Sequence, residues 1–243
     1  MIPKIIHLCW LSGDEFPEKI KYCIESWKKI LPDYEIMLWD LKRFDINESL
    51  WVRQAYESKK YAFAADYIRF YALYYYGGIY LDSDVEVIKS LDCFLDLPYF
   101  IGFEDAGNQH LEPAVMGADK GLGWIRDCLD YYKDREFIVD GKYDLKPLPV
   151  ILGERIKSTV MIPDKKSFDY NIDDLIQAFP KTYFSPKEGV TGDLKFLSDK
   201  TYTIHHYAAS WLPFTNRVYI LLHKVFSKRV AQFMSKIWYF FKR

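Results

Sequence analysis

The 243-residue chain has only four cysteines, Cys9, Cys23, Cys93 and Cys128, with no CxxC pair among them. That spacing excludes a disulfide framework and suits free thiols in a reducing compartment. No stretch reaches about 18 apolar residues without a charge, so no membrane-spanning helix is expected. The opening MIPKIIHLCW holds one early lysine and an apolar run too short for a secretory signal, and the chain reads as cytoplasmic. Internal repeats and low-complexity segments are also missing. Half of the residues are hydrophobic and 18% are aromatic, which excludes disorder and provides for one sizeable core with a small appendage.

Charge is nearly balanced at -1 but unevenly spread. Residues 217–243 hold seven Lys or Arg and no Asp or Glu, which leaves about -8 on residues 1–216 (26 basic against 34 acidic). No nucleic-acid partner is expected from such a balance. Between the basic residues of the tail stand Leu221, Leu222, Phe226, Phe233, Trp238 and Phe241. A basic, aromatic-rich helix of this kind favours an anionic membrane interface. The expected division is therefore a globular domain over residues 1–215 and an amphipathic segment over residues 216–243, attached peripherally to the inner face of the cell membrane.

Hydrophobic patterning predicts a buried strand from Lys4 to Leu11 and a helix from Glu18 to Leu31, with Ile20, Ile24, Trp27 and Leu31 on one face. A second strand follows at Tyr34 to Trp39. Residues Lys60 to Tyr76 form a long helix without internal Gly or Pro, ended by Gly77-Gly78. Short strands are expected at Ile79 to Leu81 and Val85 to Ile88. Beyond residue 105 the pattern predicts loops at Gly117 to Gly123 and Lys146 to Pro149, helices near Gly123 to Lys133 and Ile172 to Phe179, and a strand at Thr201 to Tyr207. Alternation of strands with helices points to an α/β sheet with crossover connections.

The segment YYYGGIYLDSDVEV, residues 74–87, sets two aspartates at the end of a strand that should be buried. Side chains two apart on a strand share a face, roughly 7 Å apart at Cα. Asp82 and Asp84 held that close repel unless a proton or cation lies between them. A hard divalent ion, Mn²⁺ or Mg²⁺, resolves the repulsion and keeps positions open for phosphate oxygens. The carboxyl end of an α/β sheet is where ligands bind.

Asp66 and Arg69 lie three apart on the preceding helix, hence on one face, in an otherwise apolar segment. A guanidinium there suits sugar or diphosphate oxygens. The sequence HHYAASW, residues 205–211, adds imidazoles able to ligate Mn²⁺ and, in Ser210 and Trp211, donors for phosphate oxygens.

These pieces, IPKIIHLCW at 2–10, YAFAADYIRFYALYYYGGIYLDSDVEV at 61–87 and HHYAASW at 205–211, resemble the glycosyltransferase sugar-binding-region family that carries a DXD motif. Golgi α-1,6-mannosyltransferases and bacterial capsule and lipopolysaccharide sugar transferases belong to it, and the large glucosylating toxins are distantly similar. The resemblance implies a GT-A type fold, an open mixed sheet flanked by helices, with a nucleotide-sugar donor, a divalent metal and retention of configuration. It implies that Leu8, Trp10, Ser210 and Trp211 bind the nucleotide, and that Asp66, Arg69, Gly78 and Asp82 bind the sugar. Asp82 and Asp84, with His205 or His206, would hold the metal. It further implies a UDP-linked hexose and a glycan or lipid-linked oligosaccharide acceptor, and the membrane tail suits a lipid-borne acceptor. Glu104 and Asp105 border the expected acceptor side.

Two other classes use similar strings. A haloacid-dehalogenase-like phosphatase would use Asp82 as nucleophile with Asp173 and Asp174 on Mg²⁺, but Glu86 stands where its motif expects Thr or Val. A two-carboxylate glycosidase needs carboxyls on opposite faces of the bond, about 5 Å or more apart, which one strand does not give.

Overall fold

The structure is a computed structural model that describes residues 1–107, 109–160, 175–188 and 193–207. Strand β1 (Ile5–Cys9) leads into helix α1 (Glu18–Ile30), which buries Ile20, Cys23, Ile24 and Trp27 at the spacing of a single helical face. After β2 (Glu35–Trp39) comes α2 (Leu50–Glu57), whose first turn is capped by Ser49, the hydroxyl oxygen accepting from the Val52 N–H at 3.3 Å. Helix α3 (Tyr61–Tyr76) stops at Gly77, β3 (Gly78–Leu81) follows at once, and β4 (Val85–Val87) lies just beyond.

The remaining elements are β5 (Tyr99–Phe103), β6 (Leu111–Ala118), α4 (Gly123–Tyr131), the hairpin β7 (Ile138–Val139) and β8 (Lys142–Tyr143), α5 (Leu148–Arg155), β9 (Lys157–Val160), β10 (Leu175–Ala178) and β11 (Thr203–His205).

The main sheet runs β2-β1-β3-β6-β5. β1 is parallel to β2 and β3, whereas β6 is antiparallel to both β3 and β5. This is the open mixed sheet flanked by helices that the GT-A expectation describes. Alternation along the central strands divides the core into two layers. Ile6, Leu8, Ile79 and Leu81 pack with Trp27 of α1, while Tyr80 packs with Phe63 and Ile68 of α3 on the other face. Each layer removes apolar surface from water at about 25 cal/mol per Å². The sheet therefore has no solvated face over its centre, and its chemistry is confined to the strand ends.

Three expectations are corrected. Residues 175–178 are strand, not helix: β10 pairs in parallel with β9, and the Phe179 N–H donates to the Ile101 carbonyl at 2.8 Å, so an available sheet edge overrides local helical spacing. The expected loop at Lys146 to Pro149 instead opens α5, with proline in the first turn where its missing N–H costs nothing. Gly117, expected in a loop, lies inside β6 opposite Phe100. Asp173, Asp174, Ser210, Trp211 and the segment 216–243 lie outside the described residues.

Candidate active site

Gly77 alone separates α3 from β3, so helix and strand run antiparallel side by side. Asp66 lies 11 residues before it and Asp82 lies 5 after it. At about 1.5 Å per helical residue and about 3.3 Å per strand residue, both stand about 16 Å from the turn. The one-residue connection thus levels the helix pair with the strand-end aspartates. Gly78 begins β3 at the far end from Asp82, and its φ of +109° with a notional Cβ 2.6 Å from the Ile5 carbonyl oxygen makes it a packing residue. It stands away from the expected sugar contacts.

Arg69 links helix, strand and sheet. Its Nη2 donates to Asp66 Oδ1 at 2.9 Å and lies 3.5 Å from Asp82 Oδ1, while Nη1 donates to the Pro113 carbonyl at 2.9 Å. The guanidinium lies 4.7 Å from the centre of the Tyr80 ring, whose hydroxyl donates to Asp82 Oδ1 at 2.9 Å. Arg69 Nε is buried with no partner among the described residues. Burial pushes the Asp66 carboxyl up to about 7 although Arg69 opposes it. Burial raises Asp82 as well.

The second half of the site comes from pairing β11 against β4 in antiparallel register, His205 opposite Val85. Asp82, Asp84 and His205 then each offer one ligand atom, all within 4.8 Å of one another. His205 Nε2 is 3.4 Å from Asp84 Oδ1, and Nδ1 is 3.3 Å from Glu112 Oε2. Burial disfavours a charged His205, but Asp84 and Glu112 outweigh it and hold its pKa well above the usual histidine value. The cluster therefore draws a positive charge between its carboxylates. Two carboxylates and an imidazole are a donor set that fits Mn²⁺ or Mg²⁺, with positions left for substrate oxygens. His206, the next residue, faces the other way. Its Nε2 lies 2.9 Å from Glu86 Oε2 and its Nδ1 is 2.5 Å from Lys187 Nζ.

Several residues of this group escaped the sequence reading. Glu112 Oε2 accepts from Ser185 Oγ and Tyr207 OH, each at 3.1 Å, and Lys181 Nζ donates to the Glu104 carbonyl and approaches Tyr207 OH at 3.5 Å. Burial raises Glu112, but His205 and the hydrogen bonds overcome it and bring its carboxyl down to about 2. Burial and the neighbouring Glu112 push Glu104 up to about 7. Asp105 serves its own loop, accepting from the Gln109 and His110 N–H groups. Glu112 had one sequence signal: a lone carboxylate in the apolar run LEPAVMGA.

Trp10 sits at the carboxyl end of β1, half-buried, its indole N–H donating to the Asp14 carbonyl at 2.8 Å and its ring 4.9 Å from Phe16. An open cleft of about 490 Å³ lies beside it, lined by Asp14, Phe16, Lys21, Leu38 and Asp40 as well. Leu8 is only 2% exposed, so its side chain belongs to the core and is closed to a nucleotide.

The open mixed α/β sheet has a central strand that ends in paired aspartates beside an arginine, and the comparisons with known proteins bear on this part of the chain. Residues 17–101 match the family model described as "Glycosyltransferase sugar-binding region containing DXD motif", a span that includes Asp66, Arg69, Asp82 and Asp84. That part of the chain is similar to this glycosyltransferase family. The chain is 37% identical over 124 residues to inositol phosphoceramide mannosyltransferase 3 of Schizosaccharomyces pombe, covering 49% of this chain and 34% of the relative. It is 35% identical over 105 residues to a mannosyl phosphorylinositol ceramide synthase of Saccharomyces cerevisiae, covering 42% and 27%. The chain thus spans about a third of the length of these curated relatives. Among solved structures, PaToxG glycosyltransferase superposes with a TM-score of 0.45 at 23% identity, over 53% of this chain and 59% of that one. The comparisons lend no support to a phosphatase.

Proposed function

We propose that this protein transfers a hexose from a nucleoside diphosphate sugar to a glycan or lipid-linked saccharide, with a divalent cation held by Asp82, Asp84 and His205. The observation that carries the reading is the meeting of those three ligand atoms within 4.8 Å at the carboxyl end of β3. When bound, the cation supplies Lewis-acid stabilisation of the departing diphosphate, an effect worth several kcal/mol.

In this proposal Arg69 stands beside the leaving group as a fixed cation that needs no reorganisation during reaction. Asp66 and Asp82 accept from sugar hydroxyls and orient the ring, and Trp10 and Phe16 offer aromatic surface to the base in the cleft between them and Asp40. Ser210 and Trp211, in the motif HHYAASW, are proposed donors to the diphosphate. The acceptor hydroxyl attacks from the face that the leaving group vacates and passes its proton to the released phosphate, so configuration is retained without a protein nucleophile.

No helix among the described residues is long and apolar enough to cross a membrane. We place the enzyme peripherally at an anionic inner leaflet through residues 217–243, acting in surface polysaccharide synthesis. Cosedimentation with anionic vesicles that weakens as salt rises is the expected result. UDP-hexoses remain the first donors to try with Mn²⁺ as the metal, and the names of the two yeast relatives add mannose. Nucleoside diphosphate release should therefore be measured across UDP-hexoses and GDP-mannose, with Mn²⁺ or with a chelator. Turnover that survives both the chelator and Asp84→Asn would overturn the reading.

A further inference from the structure

We propose that Glu112 is a positioning residue whose buried carboxylate orients the ring of His205 so that Nε2 faces Asp84 and Asp82. This rests on the cation reading above, and it concerns a residue outside the family match, which ends at residue 101.

Glu112 is 3% exposed and its contacts are all with donors. Oε1 accepts from the Ala114 N–H at 3.1 Å, and Oε2 faces Ser185 Oγ, Tyr207 OH and His205 Nδ1 at 3.1, 3.1 and 3.3 Å. With Nδ1–H engaged, Nε2 is directed to the aspartates, and its lone pair becomes available to a cation that displaces the proton there. A metal-ligating histidine commonly gives its second nitrogen to a carboxylate in this way, and loss of that partner weakens metal binding 10- to 100-fold.

Two features show that the fold commits structure to this contact. The β5–β6 register jumps from Ile101 opposite Met116 to Gly102 opposite Glu112, leaving Pro113, Ala114 and Val115 in a bulge. The bulge presents the Pro113 carbonyl to Arg69, the Ala114 carbonyl to the Asp82 N–H at 2.9 Å, and Glu112 to His205. The other feature is Tyr207, a non-glycine residue at φ +49°. That strained backbone lays its ring 4.1 Å from the His205 ring while its hydroxyl reaches Glu112. The imidazole is thus fixed both at its edge and on its face.

An amide cannot replace the carboxylate, because the NH₂ group introduced by Glu112→Gln would point at a donor in either orientation. Mn²⁺ affinity of the full chain, read from the electron paramagnetic resonance signal of the free ion, should fall 10- to 100-fold in Glu112→Gln and only a few-fold in Ser185→Ala. Imidazole ¹⁵N signals of the Mg²⁺-loaded wild type should show His205 with its proton on Nδ1 and none on Nε2. Should Glu112→Gln fail to fold, as judged by circular dichroism, the wild-type tautomer decides alone. Affinity in a folded Glu112→Gln within twofold of wild type, or a proton on Nε2 with Nδ1 bare, would overturn the proposal. Binding lost in Asp84→Asn but kept in Glu112→Gln sinks the Glu112 proposal alone. A wild type that binds no Mn²⁺ sinks the cation reading and this inference with it.

Discussion

His7 donates from Nε2 to the Gly77 carbonyl at 2.7 Å, so a side chain of the first strand holds the turn that levels Asp66 with Asp82. Nδ1 accepts from the Trp39 indole N–H at 3.1 Å, which makes the ring neutral with its proton on Nε2. Burial brings the His7 pKa down to about 4, against 6.5 when exposed. The unfolded chain therefore takes up a proton that the folded chain refuses between those values. Stability is full above about pH 6.5 and falls by up to about 3 kcal/mol as the pH drops toward 4. Urea unfolding across that range should show a steeper loss for wild type than for His7→Gln.

Arg69 and Asp66 form a buried pair, 2.9 Å apart, whose members are not equivalent. Removing the guanidinium in Arg69→Met leaves Asp66 and Asp82 facing each other and the Pro113 carbonyl without its donor. A loss of about 3 to 5 kcal/mol is expected. Asp66→Asn keeps a side-chain oxygen for Arg69, and Asp66 already sits near neutrality with its pKa at about 7. It should cost about 1 kcal/mol or less in thermal unfolding, while lowering turnover through loss of the proposed sugar contact. Equal destabilisation by the two variants would contradict the assignment.

The two adjacent histidines should separate cleanly. His205→Ala removes one of the three clustered ligand atoms and should weaken Mn²⁺ binding by more than the 10- to 100-fold expected for loss of the partner that orients it, measured by calorimetry. His206→Ala breaks a pair with Glu86 on the opposite side and should leave Mn²⁺ affinity within about twofold. Both side chains are largely buried, and a hydrogen bond of that kind contributes about 0.5 to 1.5 kcal/mol to stability, so its thermal midpoint should move by only a few degrees.

What the sequence revealed of this site was its local part. Asp66, Arg69, Asp82 and Asp84 interrupt apolar patterns within one helix–turn–strand unit, and such interruptions are visible because period and spacing are local properties. Glu112, Ser185 and Tyr207 reach the site only through long-range pairing, Glu112 through a bulge whose register no short window encodes. The β11–β4 pairing likewise brings His205, and not His206, beside Asp84, an arrangement that the sequence leaves open. In the fold, β1, α1, β2 and α3 have strong periods and stand where expected. The errors at residues 175–178 and at Gly117 come from neighbours in space: β10 is drawn to a sheet edge, and Gly117 leaves room for Phe100, whose ring would be 2.0 Å from a Cβ.

Gly78 offers a test of the turn itself. Its φ is +109°, and a Cβ would stand 2.6 Å from the Ile5 carbonyl oxygen and 3.1 Å from His7 Nε2. Both contacts are with atoms that cannot yield, one being backbone of the neighbouring strand and the other already bonded to Gly77. Gly78→Ala should therefore lose about 2 to 4 kcal/mol, combining backbone strain with displacement of β1. Gly121→Ala is the matched control, since its φ is +81° but nothing lies within 4 Å of the added methyl. It should cost about 1 kcal/mol, from backbone strain alone. Chemical denaturation of the two variants measures the difference, and equal losses would show that crowding against β1 adds nothing to the cost at Gly78.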